Sequence, residues 1–335
     1  MSRAGSEPKL PWSAVPRAVK DDVARLLGSP VARAARVYGG YAPSATFRMR
    51  LADGRPAFFK GVHAGSNDHM RGAIAREERV YRELGPFLGA VAPAFLGAFR
   101  RDEWHAILLE DLGPADVPPW TASRTRAAAH GYAAFHAANE AVPLPGWLRA
   151  EEWREYADFW PQVLARGIDA AAGLAGRHAL ADAREWLVGF GPVLRDHAAR
   201  LRRIRRPYTL LHLDTRADNV RVTGGRLRIF DWNWASPGPR EFDAVAFAQG
   251  IAAEGGPAPE RFLAWYAEVT PLRDEVIDAS AAAIPGYFAM AAPRPPLAGL
   301  PRVRSIQRRQ LKASLGLAAR RFALPEPSWL RSVPD

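Results

Sequence analysis

Cysteine is absent from all 335 residues, so the chain can form neither disulfides nor thiolate-bound metal centres. That absence suits a reducing compartment, and a cytoplasmic location is the expectation. No run of about eighteen apolar residues occurs, and residues 1–12, which carry Pro8 and Pro11, lack the apolar stretch of a secretory leader. No membrane partner is therefore expected. Histidine is sparse too, and His63, His69, His105, His130, His136, His178 and His197 show no paired spacing of the kind zinc sites use. Metal-dependent hydrolysis built on such ligands is thereby disfavoured. No internal repeat is visible.

What is present is an ordinary globular composition, 48% hydrophobic, in a chain long enough for two lobes. The formal net charge is +11 and the pI about 10.4, which raises nucleic acid as a possible partner. The charge is spread as arginine along amphipathic segments, with clusters at 200–206 and 302–309, and no RNA-binding or helix-turn-helix signature accompanies it. Solvated helix faces explain it better, so nucleic acid is not an expected partner. A basic surface would still attract a nucleoside triphosphate and disfavour polycations.

The most informative stretch reads Leu210-Leu211-His212-Leu213-Asp214 and continues to Asn219, followed by the apolar run that delivers Phe230-Asp231-Trp232. Phosphoryl transfer needs one carboxylate beside the attacking hydroxyl, with an amide oxygen and a second carboxylate on Mg²⁺. The spacing His212-x-Asp214-x₄-Asn219 with a later Asp231 supplies those groups. Thr223-Gly224-Gly225 suggests a hairpin turn that folds the metal ligands back towards Asp214. A lone His-x-Asp is usually a satisfied turn, and His212 itself reads as structural.

With these motifs the chain resembles the aminoglycoside phosphotransferase and choline kinase-like enzymes, relatives of the protein kinases. The resemblance implies an α+β, bilobal, protein kinase-like fold: an antiparallel N-lobe sheet with one main helix over residues 1–109, a hinge at 110–114, and a mainly helical C-lobe over 115–335. It implies Asp214 as the catalytic residue, Asn219 and Asp231 as ligands of Mg²⁺, and ATP or GTP as phosphoryl donor to a hydroxyl of a small acceptor, possible acceptors including antibiotics. Leu213 stands where the family usually has Gly, and Phe-Asp-Trp is the small-molecule kinase form of the third motif. A pseudokinase that binds nucleotide without transfer is the rival reading, opposed by the presence of Lys60, Glu77, Asp214, Asn219 and Asp231 together.

Along the chain, residues 1–15 read as a loose arm and 16–27 as an amphipathic helix stopped by Gly28 and Pro30. Strands are expected at 31–37, 46–51 and 56–62. The loop before the second contains Gly39, Gly40 and Ser44, where small residues would let backbone N–H groups approach phosphates. Lys60 on the third strand is, by the resemblance, the lysine on the α- and β-phosphates. In a helix over 70–84, Ile74, Glu77, Tyr81 and Leu84 share one face, and a carboxylate on an apolar stripe needs a cationic partner. Lys60 is that candidate, with Glu78 as the alternative to Glu77. Strands at 91–99 and 104–109 lead to Glu110-Asp111-Leu112-Gly113-Pro114, where backbone groups of Glu110, Asp111 and Leu112 would meet the purine edge.

From 121 the pattern is helical, and His136 near the end of that helix reads as structural. A helix over 151–165 carries Trp153, Tyr156, Phe159 and Trp160 with Glu151, Glu152, Glu155 and Asp158. It lies where the small-molecule kinases wall the acceptor site, and Trp147, Trp232 and Trp234 would add flat apolar surface. Further helices are expected at 182–205, 262–269 and 306–322, and Asp243 is expected to tie down the loop before its helix through backbone N–H groups. The acceptor expected from this mixture is a hydroxylated ring compound with at most one or two positive charges.

Overall fold

Alternation with a period of two residues builds the N-terminal sheet and divides its faces. The computed structural model describes residues 9–38, 44–63, 65–140, 142–148, 151–297 and 300–335. Helix α1 (Arg17–Leu27) ends at Gly28, whose φ of +69° breaks the helical path, and the chain enters β1 (Val31–Arg36). Strands β2 (Ala45–Leu51) and β3 (Pro56–Val62), helix α2 (Asp68–Leu88), and strands β4 (Phe95–Arg101) and β5 (Trp104–Leu109) follow. The strands form one antiparallel sheet in the order β1-β2-β3-β5-β4. Ala45, Phe47, Met49, Leu51, Ala57, Phe59, Ala106 and Leu108 turn outwards and share a core with Val19, Val23 and Leu27 of α1. The intervening Val62, Ile107 and Leu109 face inwards and join the main core with Ile74, Tyr81 and Leu84 of α2.

Two expectations fail here for physical reasons. Residues 9–15 are packed and not loose: the Trp12 ring stands edge-on to Phe47 and Phe59, with centroids 5.1 and 5.7 Å away, and Val15 is buried. Aromatic burial overrides the proline-rich composition; residues 1–8 of the expected arm lie outside the described residues. The strand expected over 91–99 starts only at Phe95, because a 3₁₀ turn, Gly89–Val91, carries on from α2.

Beyond β5 the chain is mainly helical. Helices α3 (Ala122–Ala138), α4 (Phe159–Arg166), α5 (Ile168–Gly173) and α6 (Gly176–Ala198) precede a short strand β6 (Thr209–Leu211). The hairpin β7 (Val220–Thr223) and β8 (Arg226–Ile229) comes next, then β9 (Ser236–Gly238), which pairs with β6. Helices α7 (Arg240–Ala253), α8 (Pro259–Ala267), α9 (Asp274–Ala291) and α10 (Val303–Arg321) complete it. Among the described residues no helix is long and apolar enough to cross a membrane.

The aromatic segment departs from its expected form. Residues Glu152–Asp158 make a 3₁₀ helix, preceded by Glu151 at a φ of +50°, and only Phe159–Arg166 is α-helical. Trp153, Trp160 and Trp232 are fully buried, each with its indole N–H on a backbone carbonyl: Pro237 at 3.0 Å, Ala282 at 2.7 Å and Ile229 at 2.9 Å. The helical spacing of Trp153 and Trp160 marks the core of the C-terminal part, and none of the three rings offers surface to an acceptor; each such ring stabilises the core by roughly 2–3 kcal/mol. The helix expected over 182–205 begins at Gly176 and gives way to a 3₁₀ turn, Ala199–Arg203.

Candidate active site

The two-residue turn after β7 sets the geometry. Gly224 and Gly225 have φ values of +59° and +73°, the conformation that matches the twist of a tight hairpin. Val220 pairs with Ile229 and Thr223 with Arg226, and beyond the ladder the Phe230 N–H donates to the Asn219 carbonyl at 3.0 Å. The chain thus returns Asp231 to the level of Asn219. Asp116, to which no motif drew attention, pins the hairpin by accepting the Val222 N–H at 3.0 Å and the Thr223 hydroxyl at 2.9 Å.

The loop bearing Asp214 is held from behind. Asp243, in the first turn of α7, accepts the backbone N–H groups of His212 at 2.6 Å and Leu213 at 3.0 Å, and the Tyr132 hydroxyl. Burial opposes its charge, but His136, Tyr132 and the His212 N–H outweigh burial and hold its carboxyl below the ordinary range. The anchoring expected of Asp243 is present. His136, fully buried, bonds the Tyr266 hydroxyl at 2.7 Å and has the structural surroundings expected of it. His212 accepts the Asp214 N–H on Nδ1 at 3.2 Å, which assigns the proton to Nε2, the donor to the Phe230 carbonyl at 3.0 Å. Burial lowers the His212 pKa, so a neutral ring ties the two loops together.

Asp214 stands at the edge of this frame. Its Oδ2 accepts Asn219 Nδ2 at 2.9 Å and Arg216 Nη2 at 3.1 Å. Burial raises its pKa, opposed by Arg216 and His212 and reinforced by Asp231. Because Asn219 Nδ2 also bonds the Asp214 carbonyl at 2.9 Å, the amide oxygen is the atom of Asn219 turned away from Asp214. Arg216 escaped the sequence reading because a lone arginine two residues past an aspartate carries no motif.

Lys60 closes the constellation from the sheet. Its Nζ lies 2.6 Å from both Glu77 Oε2 and Asp231 Oδ1. Burial works against the ammonium, but Asp231 and Glu77 outweigh it and raise the pKa above its ordinary value. Burial pushes the Glu77 carboxyl up against the pull of Lys60, and Glu77 is 1% exposed, a cost offset chiefly by its ammonium partner. Glu78, the alternative partner, instead holds His105 at 2.6 Å and Arg82 at 2.7 Å.

Lys60, Glu77, Asn219 and Asp231 border a cavity of about 270 Å³ between the sheet and the C-terminal part, lined also by Phe58, Ile74, Leu109, Phe230 and the 110–113 segment. Ser44 is buried against it; Gly39 and Gly40 lie outside the described residues. Glu110 commits its N–H to the Ala94 carbonyl at 2.9 Å and its carboxylate to the Ala94 N–H and Arg228, at 3.0 and 2.6 Å. The Asp111 carboxylate holds Arg48 at 2.9 Å and the Gly113 N–H at 3.0 Å. Glu110 and Asp111 therefore use these groups to shape the segment, and Leu112 lines the cavity beside them. A wider, more open groove by α3 and α8, lined by His130 and Trp265, contains none of this chemistry.

Among the described residues no three His, Asp or Glu side chains gather to hold a metal ion. The oxygens at hand are the Asn219 amide and the Asp231 carboxylate, hard donors that suit a cation keeping water and phosphate oxygens, as Mg²⁺ does. A profile of the phosphotransferase enzyme family matches residues 34–277. The chain belongs to that family. It is a small-molecule phosphotransferase with the protein kinase-like, α+β fold. Among solved structures it resembles a spectinomycin phosphotransferase in complex with ADP and spectinomycin, at 16% identity, with 91% of this chain and 98% of the other covered and a TM-score of 0.56. An amicoumacin kinase in complex with AMP-PNP and Ca²⁺ is similar at 11% identity, 89% and 93% coverage and a TM-score of 0.56. An aminoglycoside phosphotransferase from Alicyclobacillus acidocaldarius is similar at 17% identity, 90% and 92% coverage and a TM-score of 0.52. No curated protein matches this phosphotransferase by sequence.

Proposed function

We propose that this phosphotransferase moves the γ-phosphoryl of ATP or GTP to a hydroxyl of a small acceptor in an Mg²⁺-dependent reaction, the purine lying against the 110–114 hinge between an N-lobe ending at 109 and a C-lobe from 115. The observation that carries the reading is the convergence of Lys60, Asn219 and Asp231 from three separate segments on one cavity, with Asp214 hydrogen-bonded to Asn219 beside it. Asp214 orients the acceptor hydroxyl and accepts its proton, a task that its upward-shifted pKa favours. Lys60, fixed by Glu77, positions the triphosphate. Asn219 and Asp231 are the residues that would hold Mg²⁺, which would supply charge neutralisation on the phosphates. Gly39, Gly40 and Ser44 are assigned to the phosphate loop, and Glu110, Asp111 and Leu112 to the hinge. A nucleoside triphosphate donor and a chain without cysteine both fit a cytoplasmic enzyme.

The acceptor is a hydroxylated ring compound of low positive charge, such as an antibiotic-like glycoside or a nucleoside. Supporting this, two of the four acids that would attract a polycation are paired: Glu151 with Arg154 and Asp158 with Arg202. A nucleotide-consumption screen over hydroxylated antibiotics, nucleosides, sugars and amino alcohols, run with ATP and with GTP, tests the reading. Acceptor-dependent turnover that needs Mg²⁺ is the expected result; tight nucleotide binding without turnover on any acceptor would favour a pseudokinase, and a preference for tetracationic aminoglycosides would overturn the acceptor class.

A further inference from the structure

The β7–β8 hairpin turns its two faces to different surroundings. Val220, Val222, Leu227 and Ile229 are buried in the main core, so the residues alternating with them stand on the opposite face, from which Arg221 and Phe230 line the nucleotide cavity. Arg221 pairs with Arg228 in the ladder, and Phe230, two residues beyond Arg228, is its diagonal neighbour. The guanidinium carbon lies 4.9 Å from the centre of the Phe230 ring. Nη1 donates to the Val220 carbonyl at 2.7 Å and Nε is buried without a hydrogen-bond partner, so stacking on Phe230, more than hydrogen bonding, sets the plane of the group. Burial lowers its pKa, opposed by Asp116, Asp218 and Asp111 and reinforced by Arg48. Asp116, just past the hinge, accepts the Val222 N–H at 3.0 Å and so fixes β7 beside the hinge. The sheet contributes Phe58 to the same cavity. Its neighbours Ala57 and Phe59 belong to the outer cluster, so Phe58 points inwards, and its ladder partner Leu109 immediately precedes the hinge. The hinge carboxylates are engaged elsewhere, Glu110 with Arg228 and Asp111 with Arg48. Side chains at this end of the cavity therefore offer a flat ring two faces, an aromatic one from β3 and a planar cation from β7.

We propose that Arg221 is the floor of the base site, its guanidinium lying against the face of the donor's purine that Phe58 does not cover, in a contact that adenine and guanine share. The inference rests on the nucleotide-binding reading above and carries it to the base. A guanidinium is planar and stacks on π-systems as an ammonium does not, and a cation against a ring face gains most where water is excluded. Every base has such a face, so a stacking contact grips the purine without distinguishing its edges.

The test measures, by calorimetry on the full chain in Mg²⁺, the affinities of adenosine, ATP, GTP and tripolyphosphate for the wild type, Arg221→Ala and Arg221→Lys. Arg221→Ala is expected to weaken adenosine, ATP and GTP alike, by about tenfold, and to leave tripolyphosphate, which has no base, unchanged. Arg221→Lys keeps a cation without the plane and is expected to give the same ranking with a loss of about threefold, which carries the test if the alanine variant does not fold. Unaltered adenosine and ATP affinities overturn the proposal. A loss larger for ATP than for adenosine, or one that includes tripolyphosphate, also overturns it, because Arg221 would then act on the phosphates or support the whole cavity. A loss confined to ATP or to GTP overturns it as well, since the arginine would then read an edge. Failure of the wild type to bind ATP or GTP at all would instead bring down the nucleotide reading itself, which separates the two failures.

Discussion

Lys60 on β3 and Asp231 after β8 are 171 residues apart in sequence and 2.6 Å apart in space. The contact joins the sheet to the C-terminal loops, and it occupies the carboxylate assigned to Mg²⁺. Removing that carboxylate's charge therefore has different consequences with and without the metal. Asp231→Asn is expected to weaken ATP at least about tenfold in Mg²⁺ through loss of an anionic ligand, and to have little effect on binding in EDTA. Calorimetry under both conditions reads the difference; equal affinities in Mg²⁺ would remove Asp231 from the metal site.

Asp214→Ala should abolish transfer, by about a thousandfold or more, while nucleotide affinity stays within a few-fold, because the role proposed for this side chain is towards the acceptor hydroxyl and not the triphosphate. Single-turnover kinetics beside a binding titration checks this. Near-wild-type turnover would exclude Asp214 as the proton acceptor.

The residue before Asp214 supplies a test of stability. Leu213 has a φ of +63°, a region in which a side chain costs about 1–2 kcal/mol and glycine costs nothing. Leu213→Gly is expected to leave the fold intact and to cost only about 1–2 kcal/mol, since relief of strain offsets part of the lost packing of Leu213 against the core and of the entropy glycine adds to the unfolded chain. Asp243→Ala, which strands three donors behind the same loop, should cost about 3–5 kcal/mol. Denaturant melts compare the two, and the reverse order would refute the account of the loop.

Acid stability is expected to depend on Asp22 of α1. Side-chain hydrogen bonds from Arg101 and then Arg25 lower its pKa to about 2, from an ordinary value of 3.8. A carboxyl depressed in the folded state stabilises fully above its ordinary pKa, and the contribution disappears as pH falls from about 4 to about 2. Asp22→Asn should thus lower the melting temperature at pH 7 and lose less on going to pH 3 than the wild type does. Parallel wild-type and variant curves would show that the Arg101 and Arg25 contacts contribute nothing.

Much of this protein was legible from pattern because its chemistry sits on local spacing. His212, Asp214 and Asn219 lie within one loop, the Gly224-Gly225 turn returns Asp231 to them, and the phase of α2 singles out Glu77 over Glu78. The sheet was readable because its two faces differ, which leaves a period of two on the strands. Helix α9 was missed because it is alanine-rich, buried on most sides and contains Pro285, so no apolar stripe distinguishes it. The buried tryptophans were misplaced because helical aromatic spacing looks the same whether a ring faces a core or a ligand. Asp116 and Arg216 act through contacts that depend on folded geometry, for which a single sequence holds no signal.

The outer layer of the sheet has a separate fate from the inner one. Val15, Val19, Val23, Leu27, Phe47 and Phe59 form a hydrophobic cluster that shares no residue with the large core joining α2 to the C-terminal helices. Opening of α1 would therefore expose one face of the strands while the cleft wall opposite kept its support from α2. Amide exchange in α1 and along its strand-facing residues would then run ahead of exchange in α2, as two tiers of protection within a single sheet. Cavity-making changes on the outer tier, Val23→Ala for example, would loosen the packing of residues 9–15 without touching Lys60, Glu77 or Asp231.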